Sequence, residues 1–326
     1  MTISEIAKMA GVSSAAVSRY LNNGSLSQEK RERIGKVIME TNYQPSEYAR
    51  AMRTKKSRRI GVVVPQIDSE SVPRLLAGIS AVLDKENYTV MLMNSNRSQT
   101  KEISMLETFE HTQVDGLILA ASVITKRHQL ALENLPFPVV IVGQQSRGYS
   151  CVFHNDFEAS YEMMKYLLDT GSTRPAYLGV NRKDKAAGEN RFMGVKKALG
   201  EAGISLSSVP RTEVDFTVES GYEGMKELLE RQVPIDCVFC ATDMIAVGAV
   251  SCLRDQGIKV PEDVRVTGIG HGIVADILTP KLTTVHYHYR TSGMEAAKML
   301  LELIQNPDAG RQERMMNYQM IFQGTT

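Results

Sequence analysis

The side chains best suited to covalent or metal chemistry are a C-x-x-C pair and a few histidines. Cys237 and Cys240 stand in the apolar run 235–241, which is typical of a buried strand, and no second Cys or His pair follows at zinc-ligand spacing. Three histidines are scattered near predicted strand ends, where catalytic roles are uncommon: His271, His286 and His288. The sequence has no G-x-x-x-x-G-K-[ST] loop and no nucleophile elbow. We therefore expect structural thiols, no cofactor and no enzymatic activity.

Charge is distributed unevenly along the 326 residues. Residues 1–59 hold 12 Lys/Arg against 5 Asp/Glu, whereas the whole chain has a net charge of only +1. A basic segment on a neutral or acidic body is typical of a protein that binds a polyanion. The chain has no run of eighteen apolar residues and no signal-peptide pattern at its start, so we expect a cytoplasmic protein with no membrane partner.

The first sixty residues have helical periodicity and no strand-like alternation, and the first 45 are expected to form one domain. Ile3, Ile6, Ala7 and Ala10 recur on one helical face that stops at Gly11. A second helix, capped by Ser13, is expected to bury Ala16, Val17 and Leu21, and a third, capped by Ser27, presents Ile34, Val37, Ile38 and Thr41 on one face. Three short amphipathic helices, of which the first two are joined by a tight turn, predict a small all-α helix-turn-helix domain.

A helix that enters the major groove presents the residues opposite its buried face to the DNA. On the second helix these are Ser14, Ala15, Ser18, Arg19 and Asn22, with Ser13 at the amino end. Among them Arg19 can fork onto guanine O6 and N7. These residues are therefore candidate contacts to double-stranded DNA.

From residue 60 onward, continuous apolar runs alternate with amphipathic stretches. Such runs are typical of parallel strands that are covered by helices on both faces. We predict seven strands in two sheets: Ile60–Pro65, Tyr88–Asn94, Val114–Ala120, Pro138–Gly143, Pro175–Val180, Ile235–Ala241 and Val264–Gly270.

The segment Thr2–Asn22, TISEIAKMAGVSSAAVSRYLN, resembles the helix-turn-helix signature of the lactose and galactose repressor family, and the resemblance extends over the whole chain. Residues 46–59 resemble that family's hinge helix and basic linker. The resemblance implies that Ser46, Ala49, Arg50 and Met52 contact operator DNA, with Met52 replacing the usual leucine wedge in the minor groove and Ser46 replacing the usual Asn.

The body, residues 60–326, resembles the same family's effector domain, which is similar to periplasmic sugar-binding proteins. In such folds the ligand lies at the carboxyl ends of the strands, between two subdomains. The resemblance implies a ligand-binding role for Arg191 and a cleft position for Thr242 and Asp243, with Gln66, Asp68 and Ser69 on the facing wall. A secreted sugar-binding protein is the alternative for the body alone, but such a protein has no use for residues 1–59.

Two strand-end loops depart from the family pattern. Gly143-Gln144-Gln145 and Gly270-His271-Gly272 stand where relatives often place acidic residues. We include Gly143, Gly270 and His271 among the candidate effector residues and expect a bulkier or differently substituted ligand, such as a disaccharide or a sugar phosphate. Lys183 and Lys185 are candidates to meet a phosphate, but a solvated loop explains these two lysines better.

The resemblance also implies a homodimer in which effector binding rotates one subdomain against the other. We expect one subdomain to comprise about 60–155 and 287–317, and the other about 156–284 and 318–326. No heptad-rich tail is present, so a coiled-coil tetramer is not expected. Induction, corepression and control by a corepressor protein all remain open at this point.

Overall fold

The computed structural model describes residues 1–43 and 56–326. Their backbone divides into two compact units, Met1–Arg58 and Arg59–Thr326. In the described part of the chain, no helix combines the length and the apolar character needed to cross a bilayer.

The described residues of the first unit form three helices: α1 (Ile3–Ala10), α2 (Ser14–Leu21) and α3 (Gln28–Thr41). Thr2 and Glu5 form a capping box at the start of α1, and Gly11 ends it in the left-handed conformation, with φ of 62°. The Ser13 hydroxyl accepts a hydrogen bond from the Ala16 amide, as expected, whereas Ser27 precedes α3 without a side-chain hydrogen bond. The helices enclose one small core: Ile6, Ala7, Ala10, Ala16, Val17, Ile34, Val37 and Tyr43.

The second unit contains two lobes, each built on a parallel sheet. The amino-terminal lobe, or N-lobe, has a six-stranded sheet in the order β11-β5-β4-β3-β1-β2. Its strands are β1 (Arg59–Val64), β2 (Thr89–Asn94), β3 (Gly116–Leu119), β4 (Val139–Val142), β5 (Ser150–His154) and β11 (Glu313–Met316). Helices α4 (Val72–Leu83), α5 (Gln99–Glu110), α6 (Lys126–Glu133) and α12 (Tyr289–Gln305) cover it.

The carboxy-terminal lobe, or C-lobe, has a four-stranded parallel sheet in the order β7-β6-β8-β9. Its strands are β6 (Pro175–Gly179), β7 (Arg211–Glu213), β8 (Cys237–Cys240) and β9 (Arg265–Thr267). Its helices are α7 (Asp156–Asp169), α8 (Arg191–Glu201), α9 (Val218–Glu230), α10 (Asp243–Asp255) and α11 (Ile273–Ile277). An antiparallel pair, β10 (Thr284–Tyr287) with β12 (Tyr318–Ile321), lies beside this sheet and joins the lobes.

The predicted fold class is confirmed: a helical head and an α/β body with two parallel sheets. The apolar runs of the sequence form the central strands, whose residues are almost entirely buried. The four cysteines are free and buried. Burial raises the pKa of the Cys237 thiol to about 12, so this thiol stays protonated, as a structural cysteine should.

Candidate operator surface and effector cavity

Helix α2 presents an exposed polar face. Ser14, Ala15, Arg19 and Asn22 are exposed, while Ala16 and Val17 on the opposite side are buried. Ser13 is also exposed, at the amino end of the helix, where backbone N–H groups favour an anion such as a DNA phosphate. Ser18 is half-buried, and its carbonyl accepts a hydrogen bond of 2.6 Å from the Asn22 side chain. The exposed side chains of this face include hydrogen-bond donors of the kind that contact base edges.

The turn between α1 and α2 is held from α3. Arg33 Nη2 donates to the Gly11 carbonyl at 3.1 Å, and a Cβ at Gly11 would lie 2.2 Å from that same Nη2 atom. Glycine is therefore needed at position 11 for two reasons: the backbone is left-handed there, and Arg33 approaches it closely.

The predicted hinge residues Ser46, Ala49, Arg50 and Met52 lie outside the described residues.

A cavity of about 230 Å³ lies between the N-lobe and the C-lobe, at the carboxyl ends of strands from both sheets. Eight of the nine residues that the sequence singled out for an effector line it: Gln66, Asp68, Ser69, Gly143, Arg191, Thr242, Asp243 and Gly270. The sequence missed much of the remaining wall, including Arg74, Arg97, Phe216, Tyr287 and Tyr289.

Arg191 is buried at the start of α8 and forms an ion pair with Asp156 at the start of α7. Its Nε donates to Asp156 Oδ1 at 2.8 Å, its Nη1 donates to the Ala241 carbonyl, and the Tyr287 hydroxyl donates to the same Asp156 oxygen at 3.0 Å. Burial acts to lower the pKa of Arg191, but the Asp156 carboxylate more than compensates and the net shift is upward. The guanidinium is therefore a fixed, permanently charged donor in the cavity wall.

Thr242 and Asp243 support the wall on the C-lobe side. The Thr242 hydroxyl caps α10 by accepting a hydrogen bond from the Ile245 amide. Asp243 Oδ1 accepts from the Thr284 hydroxyl, and Oδ2 accepts from the Gly272 amide at 3.0 Å. Burial raises the pKa of Asp243, and these two hydrogen bonds partly offset the rise. Because both oxygens have partners, Asp243 orders the loop that follows β9.

The facing wall comes from the loops after β1 and β2. Ser69 accepts from the Val72 amide at 3.2 Å, and Gln66 accepts from Arg97 Nε. The Arg97 guanidinium lies 3.9 Å from the ring centre of Phe216, a C-lobe residue, so this contact spans the cleft. Burial lowers the pKa of Arg97 despite the nearby carboxylates, chiefly that of Asp184. Neither Arg97 nor Phe216 lies in a motif that sequence reasoning could have used.

An aromatic group forms the floor. His154 stacks on Tyr287 with 4.3 Å between ring centres and an interplanar angle of 11°, and Tyr289 meets both rings edge-on. Burial lowers the pKa of His154 to about 4, so the imidazole is neutral near pH 7. Tyr287 and Tyr289 come after the last of the predicted strands. Apolar and polar residues alternate there, and this alternation was the only signal in the sequence that could have identified the two tyrosines.

The two departures from the family pattern have structural explanations. Gly143 adopts a φ of +98°, and the adjacent Gln144 side chain donates to the Ala121 carbonyl instead of facing the cavity. His271 is not among the described residues that line the cavity. Its Nδ1 lies 3.0 Å from Nδ1 of His286. The expectation that the histidines are scattered was therefore wrong, because the turn after β9 folds against β10.

The amino-terminal residues 2–46 match the family model described as bacterial regulatory proteins, lacI family, and residues 164–326 match a periplasmic binding protein-like domain. The chain is 32% identical over 308 residues to the sucrose operon repressor of Staphylococcus xylosus, covering 93% of this chain and 94% of that protein. The chain belongs to the lacI family of bacterial regulatory proteins.

Solved structures of the lacI family have the same architecture. The transcriptional regulator CelR in complex with cellobiose is 25% identical, with a TM-score of 0.76 and full coverage of both chains. The lac repressor dimer bound to operator and the anti-inducer ONPF has a TM-score of 0.89 at 21% identity, covering 100% of this chain and 98% of that one. This lacI-family chain is therefore a DNA-binding regulator of a non-enzymatic family.

Proposed function

We propose that this lacI-family regulator represses carbohydrate-utilisation genes and that a neutral sugar in the cavity between its lobes sets its affinity for operator DNA. The cavity itself carries this proposal. Tyr287, Tyr289 and Phe216 offer apolar ring faces, and Arg191, which Asp156 and the Ala241 carbonyl hold in place, offers its remaining N–H groups to a sugar hydroxyl. The similarity to a sucrose operon repressor and to a regulator bound to cellobiose supports the same ligand class.

The charges around the cavity favour a neutral sugar over a sugar phosphate. Its three arginines are already engaged: Arg191 with Asp156, Arg97 with Gln66, and Arg74 with backbone carbonyls. Five carboxylates line the same space: Asp68, Glu70, Asp156, Asp184 and Asp243. A phosphate dianion would need unpaired cations and would meet an excess of negative charge. Of the ligands expected from the sequence, a neutral mono- or disaccharide fits best.

On the DNA side, we propose that Arg19 reads a guanine in the major groove, with Ser13, Ser14, Ala15, Ser18 and Asn22 completing the contact surface. Ser46, Ala49, Arg50 and Met52 are proposed to act in the minor groove at the centre of the site. Residues 1–45, 46–59 and 60–326 thus act as DNA-binding domain, hinge and effector domain. Since operator DNA is in the bacterial cytoplasm, the protein is proposed to act there.

A homodimer suits the proposed operator, which has two half-sites. Helix α11 carries two isoleucines four residues apart, Ile273 and Ile277, which are 74% and 71% exposed. Isoleucines this exposed on one short helix are expected to be covered by a second copy of the chain. An Ile277→Lys variant that sediments as a monomer would support this contact, and a variant that remains dimeric would place the interface elsewhere.

The function is tested by selecting operator-length duplexes from a random pool and titrating the selected complex with neutral sugars and their phosphates. A palindromic sequence whose affinity changes with one neutral sugar supports the proposal. By linkage, that DNA must change the sugar affinity by the same factor. A response to a phosphorylated sugar alone would overturn the neutral-sugar assignment, and a response only in the presence of another protein would favour a corepressor protein.

A further inference from the structure

Arg74, near the start of helix α4 in the N-lobe, binds a loop of the C-lobe across the cleft. Its Nη1 donates to the His271 carbonyl at 3.0 Å, and its Nη2 donates to the Gly270 carbonyl at 3.1 Å. Its Nε donates to the Glu70 carbonyl at 3.0 Å, and its guanidinium lies 4.8 Å from the ring centre of Tyr289. The Glu70 carbonyl and the Tyr289 ring hold the guanidinium from the N-lobe, while its two terminal nitrogens bind the loop.

A second contact joins the same two segments. Glu70 Oε2 accepts a hydrogen bond of 3.2 Å from the Ile273 amide, at the start of α11. A Cβ at Gly272 would lie 2.2 Å from that oxygen, so only glycine allows this approach. The N-lobe thus presents a cation to two carbonyls and a carboxylate to an amide, and the 270–273 loop presents the complementary backbone groups.

The backbone of the loop is unusual at two successive residues. Gly270 has a φ of +141° and His271 a φ of +49°, a conformation that non-glycine residues rarely adopt. This shape directs both carbonyls at one guanidinium. It is held from within the C-lobe by Asp243, which accepts from the Gly272 amide, and by the 3.0 Å contact between the His271 and His286 imidazoles.

We propose that Arg74 is a positioning residue that latches the 270–273 loop and thereby holds the lobes closed over the cavity. Arg74 and Glu70 line the cavity from the N-lobe, and Gly270 and Asp243 line it from the C-lobe, so the contacts between Arg74, Glu70 and the loop cross the cleft at the cavity wall. Opening the cleft separates Arg74 from both carbonyls and Glu70 from the amide together. The latch therefore sets the balance between closed and open lobes. Its importance for effector affinity rests on the function proposed above, but its effect on closure does not.

The experiment measures an interlobe distance distribution in the full-length protein. Spin labels are attached to Glu107→Cys on α5 and Lys226→Cys on α9, both of which are exposed, while the four native cysteines are buried. An excess of unlabelled protein ensures that a dimer carries a single labelled chain. Circular dichroism first verifies that each variant is folded.

Two variants break the latch from opposite sides. Arg74→Gln removes the charged fork, and Gly272→Ala places a methyl group against Glu70 without changing any charged side chain. Each should shift the closed-to-open ratio toward open lobes by roughly tenfold or more, the factor for losing one hydrogen bond that involves a charged group. The matched controls are Arg127→Gln on the exposed face of α6 and Gly200→Ala, where an added Cβ meets no atom within 4 Å.

An unchanged distribution in both Arg74→Gln and Gly272→Ala would overturn the latch, as would equal shifts in the controls. The measurement needs neither DNA nor a sugar. Failure of the latch would therefore leave the operator and effector proposals untouched, and a failed operator selection would leave the latch standing.

Discussion

Replacing Asp156 by asparagine tests how the central ion pair of the cavity wall contributes to stability. The side chains of Arg191 and Asp156 are only 7% and 3% exposed, and Nε and Oδ1 lie 2.8 Å apart. Asp156→Asn preserves the size of the side chain but leaves the buried Arg191 charge uncompensated. Removing one partner of a buried pair costs about 3–5 kcal/mol in the free energy of unfolding. For a domain of this size, the midpoint of thermal unfolding should fall by roughly 6–20 °C.

The assay is urea unfolding followed by far-ultraviolet circular dichroism, because the chain contains no tryptophan. Asp169→Asn is the matched control: Asp169 pairs with Lys165 on the surface of α7, where the two side chains are 61% and 50% exposed. The control should change stability by no more than about 0.5 kcal/mol. The double variant Arg191→Met/Asp156→Leu should recover much of the loss, since it leaves no unpaired charge in the wall.

The reasoning is refuted if Asp156→Asn is no less stable than Asp169→Asn. It also fails if the double variant loses the sum of the losses measured for Arg191→Met alone and Asp156→Leu alone, because that outcome would mean that the two side chains act independently.

Three further predictions concern other parts of the molecule. Arg19→Ala should cost about 1–3 kcal/mol of discrimination at one base pair of each half-site, measured by fluorescence anisotropy on point-substituted duplexes; an equal loss on every sequence would assign Arg19 to phosphate. Burial lowers the pKa of His154 to about 4, so the folded protein holds this imidazole neutral. The contribution of His154 to the free energy of unfolding is therefore complete above the unfolded pKa of about 6.5, and about 3 kcal/mol is lost as the pH falls toward 4. His154→Gln should flatten this dependence in urea titrations at successive pH values, and an unchanged slope would assign it to other groups. Gly78→Ala should destabilise by about 1–3 kcal/mol or more, since its Cβ would overlap the Arg290 carbonyl, whereas Gly200→Ala should stabilise slightly; similar midpoints in urea would contradict the packing argument.

Sequence patterns predicted the central strands well because burial on both faces requires continuous apolar residues. The run 60–65 matches β1 to within one residue at each end and the run 138–143 contains β4, and the ends of these runs place Gln66 and Gly143 at the cavity. Strands β5, β7, β10, β11 and β12 were not predicted. The residues of β7, β11 and β12 are largely exposed or half-buried, so these strands lack the apolar run on which the prediction depended. Strands β5 and β10 are mostly buried but short, and polar residues such as Ser150, His154 and Thr284 interrupt their apolar pattern.

The missed cavity residues depend on contacts between distant segments. Arg97 reaches Phe216 through a loop with positive φ, and Arg74 reaches residues nearly two hundred positions away. Neither short-range periodicity nor motif spacing predicts such contacts between distant segments. The sequence did identify Gly270-His271-Gly272 as a departure, but it could not show that the loop turns its carbonyls toward an arginine of the other lobe.

The most direct test of the regulator account is a single titration. Full-length protein is bound to its selected palindromic duplex, and neutral mono- and disaccharides are added one at a time while DNA binding is followed by fluorescence anisotropy. The account predicts that one neutral sugar changes the operator affinity and that an Arg191→Met variant, still bound to the same DNA, loses the response. A response that Arg191→Met retains in full, or selected DNA that no neutral sugar affects, would contradict the assignment of this cavity as the effector site.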